Sequence, residues 1–150
     1  MPSSENLRVT ITDYASHAAD IRNVREVVFI QEQQIAREDE WDDRDEVCIH
    51  VVAYHEDKPI GTGRVDLEKA GKVGRVAVKS EFRRHGIGRA MMKNFEEYAQ
   101  QQGLPKLWFH AQQTAVDFYR SLDYEVVSEE FFEAGIPHVI MEKSFAKSVS

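Results

Sequence analysis

The chain has 150 residues, enough for one compact domain whose core holds without staples. Nineteen Lys and Arg stand against 26 Asp and Glu, a formal net charge of −7, which argues against nonspecific nucleic-acid binding but leaves room for a local basic site. The single cysteine, Cys48, excludes an intrachain disulfide, and no apolar run approaches the roughly 18 residues of a membrane span. The opening Met-Pro-Ser-Ser-Glu-Asn carries no signal-peptide pattern, so a cytoplasmic location is the expectation.

Leu7 to Thr12 alternates apolar and polar residues and reads as a half-buried strand. Ile21, Val24 and Val28 share one helical face, which predicts a helix over residues 17–34 with Ser16 or Asp20 as its cap. Residues 38–46 then hold seven acids and one arginine. Two readings stay open for them: a solvated loop or short helix, and an acidic rim that attracts a cationic amine. Trp41 inside this run reads as an anchor to the body. Val47 to Tyr54 predicts a strand buried on both faces, with Cys48 as a small core residue. Turn chemistry at Glu56–Pro59 leads to a strand over residues 60–67, and Ala70-Gly71-Lys72 turns into another at residues 73–78. Short turns make the last three of these strands an antiparallel meander.

Residues 74–89 organise the rest. The apolar strand Val76-Ala77-Val78 runs through a basic loop, Arg83-Arg84-His85, into a helix at Gly86-Ile87-Gly88. The first N–H groups of a helix lack intrahelical partners, and the helix dipole adds partial positive charge there. Glycine lets phosphate oxygens approach the backbone, and Arg83, Arg84 and Arg89 add fork-shaped donors. The nucleoside-triphosphate pattern is absent. The dinucleotide fingerprint is absent too: Met91 stands at its third glycine, and seven residues separate Val78 from Gly86.

The helix repeats Ile87, Met91, Phe95 and Tyr98 as a core face and ends near Gly103 and Pro105. A strand over residues 107–111 completes a βαβ unit. Residues 112–121 predict a short helix with Thr114 as a possible cap. Strands at residues 124–128 and 139–145 follow, joined by a loop containing Gly135 and Pro137.

Arg83-x-x-Gly86-x-Gly88 after an apolar strand resembles the coenzyme A pyrophosphate loop of the GNAT-superfamily N-acetyltransferases. The stretch from Ala115 to Tyr124 resembles that family's second signature, with Gln113 where Asn is usual and Asp123 where Gly is usual. Val28 to Gln33, the acidic stretch to His50, and Gly135-Ile136-Pro137-His138 resemble the ElaA/YjcF-like branch. The resemblance implies an α/β (α+β) fold: a mixed, mostly antiparallel sheet flanked by helices, with a parallel pair splayed at the cofactor site. All 150 residues form one domain on this reading, with flexible tails over residues 1–6 and 146–150.

The same resemblance implies acetyl-CoA as acyl donor and direct transfer to an amine. Val76, Ala77 and Val78 would line the pantetheine arm, and the N–H near Val76 would stabilise the oxyanion. Amides of His85, Gly86, Ile87, Gly88 and Arg89 would hold the pyrophosphate. Arg83, Arg84 or Arg89 would meet the 3′-phosphate, and Gln113 would bond the amide arm. Tyr119 matches the usual acid that protonates the departing thiolate.

Glu32, His50, Glu133 and His138 are the candidates to take the amine's proton, with Glu32 and His138 carried forward beside Tyr119 as catalytic. His50 also reads as a satisfied core histidine, and His17, His55 and His110 have weaker claims. No His/Cys/Asp spacing forms a metal site, and no nucleophile elbow appears. The expected acceptor is a small-molecule primary amine, with no nucleic-acid or membrane partner. A homodimer follows from analogy alone. The alternative is a non-catalytic acyl-CoA-binding module or sensor.

Overall fold

A computed structural model describes residues 6–145. The expected flexible tails fall outside these residues, except Asn6, whose side-chain amide donates to Glu56 at 3.2 Å. Strands β2 (Ile49–His55), β3 (Lys58–Asp66) and β4 (Lys72–Val78) form the expected antiparallel meander, and β1 (Leu7–Thr12) pairs antiparallel with β2. Helix α3 (Ile87–Gln101) crosses to β5 (Lys106–Gln112), which runs parallel to β4. Strands β6 (Glu125–Val126), β7 (Phe131–Glu133) and β8 (Ile136–Ser144) complete an eight-stranded sheet. Its order is β1-β2-β3-β4-β5-β8-β6, with β7 also paired to β8.

The parallel pair is the one weak seam. β4 and β5 share a single registered pair, Lys72 with Trp108, whereas β5 and β8 share seven. Beyond that rung the two strands part. A bulge on β4 sits just past it: Gly74 pairs with Arg64 and Ala77 with Thr62, leaving Arg75 and Val76 without partners in β3. Arg75 takes the left-handed conformation, with φ of 50°.

The apolar stripe of α3 explains why it lies on the sheet. Ile87, Met91, Met92, Phe95 and Ala99 are buried against β-strand residues such as Val51, Val65, Leu107 and Met141. Each full burial of such a large side chain contributes about 1.5–3 kcal/mol before entropy is counted. Ala99, not Tyr98, continues the stripe. Gly103 ends the segment with φ of 77°, as its position predicts.

The other face of β3 and β4 carries α1 (Ala18–Arg25), which buries Ile21 and Val24. The helix expected over residues 17–34 changes character midway. From Glu26 to Glu32 its turns widen to π-helix, closed by Gln33 N–H donating to Val28 O at 3.0 Å. Neither Ser16 nor Asp20 caps it: Asp13 Oδ1 accepts from Ser16 N–H at 2.8 Å, and Asp20 accepts from the Tyr54 hydroxyl. Likewise no side-chain cap is made by Thr114 for α4 (Val116–Arg120).

Two expectations about the C-terminal strands need correction. The strand at residues 124–128 shrinks to Glu125–Val126. The loop holding Gly135 is a hairpin, in which β7 turns into β8 through Ala134 and Gly135, with φ of 52° and 76°. Positive φ at both central residues is the two-residue turn whose twist suits a hairpin.

The acidic segment is partly the expected short helix with exposed acids, but three of its carboxylates are bound to arginines and do not form a free rim. Glu40 ends α2 (Arg37–Glu40), and with Asp42 and Asp45 it turns toward arginines from three other elements. Arg25 meets Glu40 at 2.7 Å and Asp45 at 2.6 Å, with its side chain 1% exposed. Arg64 reaches Asp42 and Asp45, and Arg75 reaches Glu40 and Asp42. Trp41 lies under the guanidinium groups of Arg22 and Arg25, the anchor its placement suggested. Glu38, Asp39, Asp43 and Glu46 remain exposed.

Candidate active site

The gap between β4 and β5 places the sequence-singled residues on its two banks. On the β4 bank, Val76 and Val78 pack into the α3-side core, while Ala77 is buried against Val24 and Val28. Beyond Lys72, no residue of this strand has a registered partner on the β5 side. Its edge is therefore open to an extended ligand arm in the manner of an added strand.

At the head of the gap the loop enters α3. Gly86 is the residue before the first helical turn, with φ of 81°, and Ala90 N–H makes the first bond back, to Gly86 O at 3.0 Å. Among the described residues, no backbone carbonyl accepts from the N–H groups of residues 84–89. Arg84 also takes a left-handed conformation, with φ of 66°. A ring of unpaired N–H groups at a 15-residue helix N-terminus suits an anion. Gly88 has a second reason to lack a side chain: a Cβ there would lie 3.1 Å from the Phe118 ring.

The three loop arginines divide. Arg84 and Arg89 are exposed and make no ion pair among the described residues. Arg83 is committed elsewhere. Its Nε donates to Val78 O at 2.8 Å, and its two terminal nitrogens meet both oxygens of Glu32. Those bonds from Arg83 hold the Glu32 carboxyl below its ordinary value of 4.5. Glu32 is thereby placed as a brace for the loop, poorly suited to accept a proton at neutral pH. His85 and Ile87 flank the glycines, with Ile87 buried in the core.

On the β5 bank, Tyr119 of α4 packs at a tilt against Phe109, with ring centroids 4.3 Å apart, and edge-on against Phe118 and Tyr124. Burial alone pushes its phenol up to about 12. Its hydroxyl has no hydrogen-bond partner among the described residues. Gln113 follows β5 and donates to Glu130 at 3.0 Å. Asp123 adopts the left-handed conformation expected where glycine is usual, with φ of 73°.

The candidate bases also separate. His50 is a satisfied core histidine: it is buried, its Nε2 bonds Asp45 O at 2.8 Å, and burial lowers its pKa. His138 lies on β8 with Nδ1 donating to Ile136 O at 2.7 Å and Nε2 3.5 Å from Glu133. Glu133 also accepts from His110, a residue with only a weak claim from sequence. The period-2 pattern of β5, which puts Trp108, His110 and Gln112 on one face, was the signal for it.

The residues 14–145 match the family model of the acetyltransferase (GNAT) domain. The uncharacterized N-acetyltransferase YjcF of Bacillus subtilis is 37% identical over 139 residues, 91% of this chain and 99% of that protein. A solved Lactobacillus plantarum structure is 31% identical, covers 92% of this chain and 97% of its own, and superposes with a TM-score of 0.85. Escherichia coli ElaA shares the fold at 21% identity and a TM-score of 0.82, over 92% of this chain and 99% of its own. So does the PaiA N-acetyltransferase of Thermoplasma acidophilum in complex with coenzyme A, at 14% identity and 0.71, over 93% and 99%. The chain belongs to the GNAT acetyltransferase family. It is an N-acetyltransferase, and the parted β4–β5 pair is the part of the fold where its sheet is open.

Among the described residues, no cluster of His, Cys, Asp and Glu is arranged to hold a metal ion. No helix among them is long and apolar enough to cross a membrane. Cys48 is buried, and burial raises its thiol to about 11, which leaves it protonated and unreactive at neutral pH.

Proposed function

We propose that the chain transfers an acetyl group from acetyl-CoA directly to a primary amine of a small molecule. The observation that carries this reading is the ring of free N–H groups at the start of α3, set at the mouth of the gap between β4 and β5. The N–H groups of residues 84–89 bind the pyrophosphate, and Arg84 and Arg89 supply its counter-charge. The pantetheine arm lies along Val76–Val78, and the N–H of Val76 meets the oxyanion. Gln113 sits where the amide arm passes. Tyr119 donates a proton to the leaving thiolate. A phenol raised to about 12 keeps its proton until a strong base forms beside it, as a departing thiolate is.

Arginines engage Glu40, Asp42 and Asp45, so three of the seven acids in this run are not free to draw a cationic acceptor. The amine preference now rests on family membership and on the groups lining the β5 face. Calorimetry with acetyl-CoA, followed by thiol release in the presence of amines, tests the reading. Binding without thiol release across polyamines, arylalkylamines and aminoglycosides would instead support an acyl-CoA-binding module. Absence of binding would end both readings. Paired Arg84→Ala and Arg89→Ala substitutions should weaken acetyl-CoA more than dephospho-acetyl-CoA if either arginine meets the 3′-phosphate.

A further inference from the structure

On the open face of the C-terminal half-sheet, three titratable side chains from three strands converge. Glu133 ends β7, pinned by the Ala134–Gly135 turn. Its Oε1 accepts from His110 Nδ1 at 3.1 Å, and its Oε2 lies 3.5 Å from His138 Nε2. Phe131 packs edge-on against His110, with centroids 5.1 Å apart, and stacks on His138. Trp108 closes the His110 ring from the third side at 6.0 Å.

The two histidines differ in what their nitrogens have left to give. His138 has Nδ1 on a backbone carbonyl and Nε2 toward Glu133, with its side chain 9% exposed. His110 has only Nδ1 engaged and a side chain 25% exposed. A carboxylate on Nδ1–H fixes the tautomer and leaves Nε2 as a lone pair facing out. His110 is also the first residue on that face of β5 beyond the Lys72–Trp108 rung, where β4 and β5 begin to part.

We infer that His110, oriented by Glu133, is the base that deprotonates the acceptor amine. This rests on the acetyltransfer reading above and names the residue that prepares its nucleophile. The ammonium gives a proton to His110 Nε2, which passes it to solvent. The neutral nitrogen then forms its bond to the acetyl carbonyl carbon, and the carbon–sulfur bond breaks. As the thiolate takes the Tyr119 proton, the nitrogen's second proton returns to the Tyr119 oxygen, so one proton ends on sulfur, one in solvent, and Tyr119 is restored. Glu133 is a positioning residue that holds the tautomer. The titratable groups around His110 are Glu133 from β7, His138 from β8 and Lys72 from β4, the last lying over the Trp108 ring at 5.4 Å.

Imidazole nitrogen NMR on the acetyl-CoA-bound chain tests the tautomer without an acceptor. Above pH 8, His110 should carry its proton on Nδ1 with Nε2 bare, and Glu133→Gln should mix the two tautomers. A proton fixed on His110 Nε2 overturns the inference. Thiol release with spermidine and tryptamine as acceptor probes supplies the kinetic arm. His110→Gln should lower kcat by about 10²–10⁴-fold, leave acetyl-CoA affinity within about 2-fold, and remove the acid limb of the pH profile. Glu133→Gln should shift that limb and cost less. A wild-type chain that binds no acetyl-CoA removes the underlying acetyltransfer reading. A wild-type chain that turns over, with His110→Gln keeping both its rate and its acid limb, removes only the assignment of His110.

Discussion

Glu32 and Arg83 form a two-pronged ion pair, 2.6 and 2.7 Å between their oxygens and nitrogens, that ties the end of the π-helical turn to the loop before α3. Both side chains are about two-fifths exposed, 39% for Arg83 and 40% for Glu32. A pair this wet adds little to global stability, below about 1 kcal/mol. Its effect is local, because Arg83 Nε also holds Val78 O at the edge of the gap.

Glu32→Gln is therefore expected to leave the urea midpoint nearly unchanged while weakening acetyl-CoA about 2–10-fold, the worth of one net hydrogen bond. Calorimetry at low and high salt checks this, since the difference should shrink as salt screens the pair. A loss of turnover by several orders of magnitude with intact acetyl-CoA binding would restore Glu32 as a base.

The buried arginines carry a larger stake. Arg25→Ala leaves the buried Glu40 with Arg75 and Asp45 with Arg64 as their remaining arginines, and should cost about 3 kcal/mol in urea denaturation, the low end for breaking a buried pair. Arg25→Met, which fills the volume but not the charge, leaves the same two carboxylates short of one arginine. It should recover little unless Glu40 and Asp45 are neutralised with it.

Acid should destabilise the fold in two stages of the same sign. Burial depresses the His50 pKa below its ordinary 6.5, so the unfolded chain takes up that proton first. This contribution is lost as pH falls from 6.5 through the lower folded value. Hydrogen bonding to Arg64 holds the Asp42 carboxyl well below its ordinary 3.8, and Arg44 does the same for Asp66. Those contributions are present above pH 3.8 and fade below it. Asp42 is partly exposed, so solvent screens its share. Thermal midpoints from about pH 7.5 to about 2 should fall in these two stages, and His50→Gln should flatten the upper one. A midpoint that rises on acidification would contradict both assignments.

Tyr119→Phe keeps the ring packing with Phe109 and removes only the hydroxyl. Turnover should drop about 10²-fold or more while acetyl-CoA affinity stays within about 2-fold. Unchanged turnover in a single-turnover assay would remove Tyr119 from the reaction.

Gly71 sits at the vertex of the gap. Its carbonyl accepts from Trp108 N–H at 3.2 Å, its φ is 86°, and a Cβ there would lie 2.8 Å from the Lys106 carbonyl oxygen. Gly71→Ala should cost about 2–4 kcal/mol, combining left-handed strain with a backbone clash. Acetyl-CoA binding should weaken with it. Ordinary thermal stability in that variant would mean the vertex gives way easily.

How far the sequence announced this molecule depends on whether a feature's partners are near in the chain. The loop from Arg83 to Arg89, the apolar stripe of α3 and the turn at Asp123 are local patterns, and each lies where its spacing put it. The acidic run could not be read this way. Glu40, Asp42 and Asp45 find Arg25, Arg64 and Arg75 from other elements, and a run of charge looks the same whether it faces water or guanidinium. Glu32 and Arg83 stand 51 residues apart, so nothing local marked either as already engaged. The β7–β8 hairpin was hidden by an Ala-Gly turn that lacks the usual Asn or Asp.

The single rung between Lys72 and Trp108 also bears on how the molecule assembles. Within each half the strands share many registered pairs, six between β1 and β2 and seven between β5 and β8, whereas the halves meet at this one rung, across a span that contains all of α3. A single pair returns little against the chain entropy spent in closing such a span, where six or seven pairs return much more. The two halves should therefore gain amide protection separately, each at its own pace, and the seam should be the last place to fasten and the first to breathe.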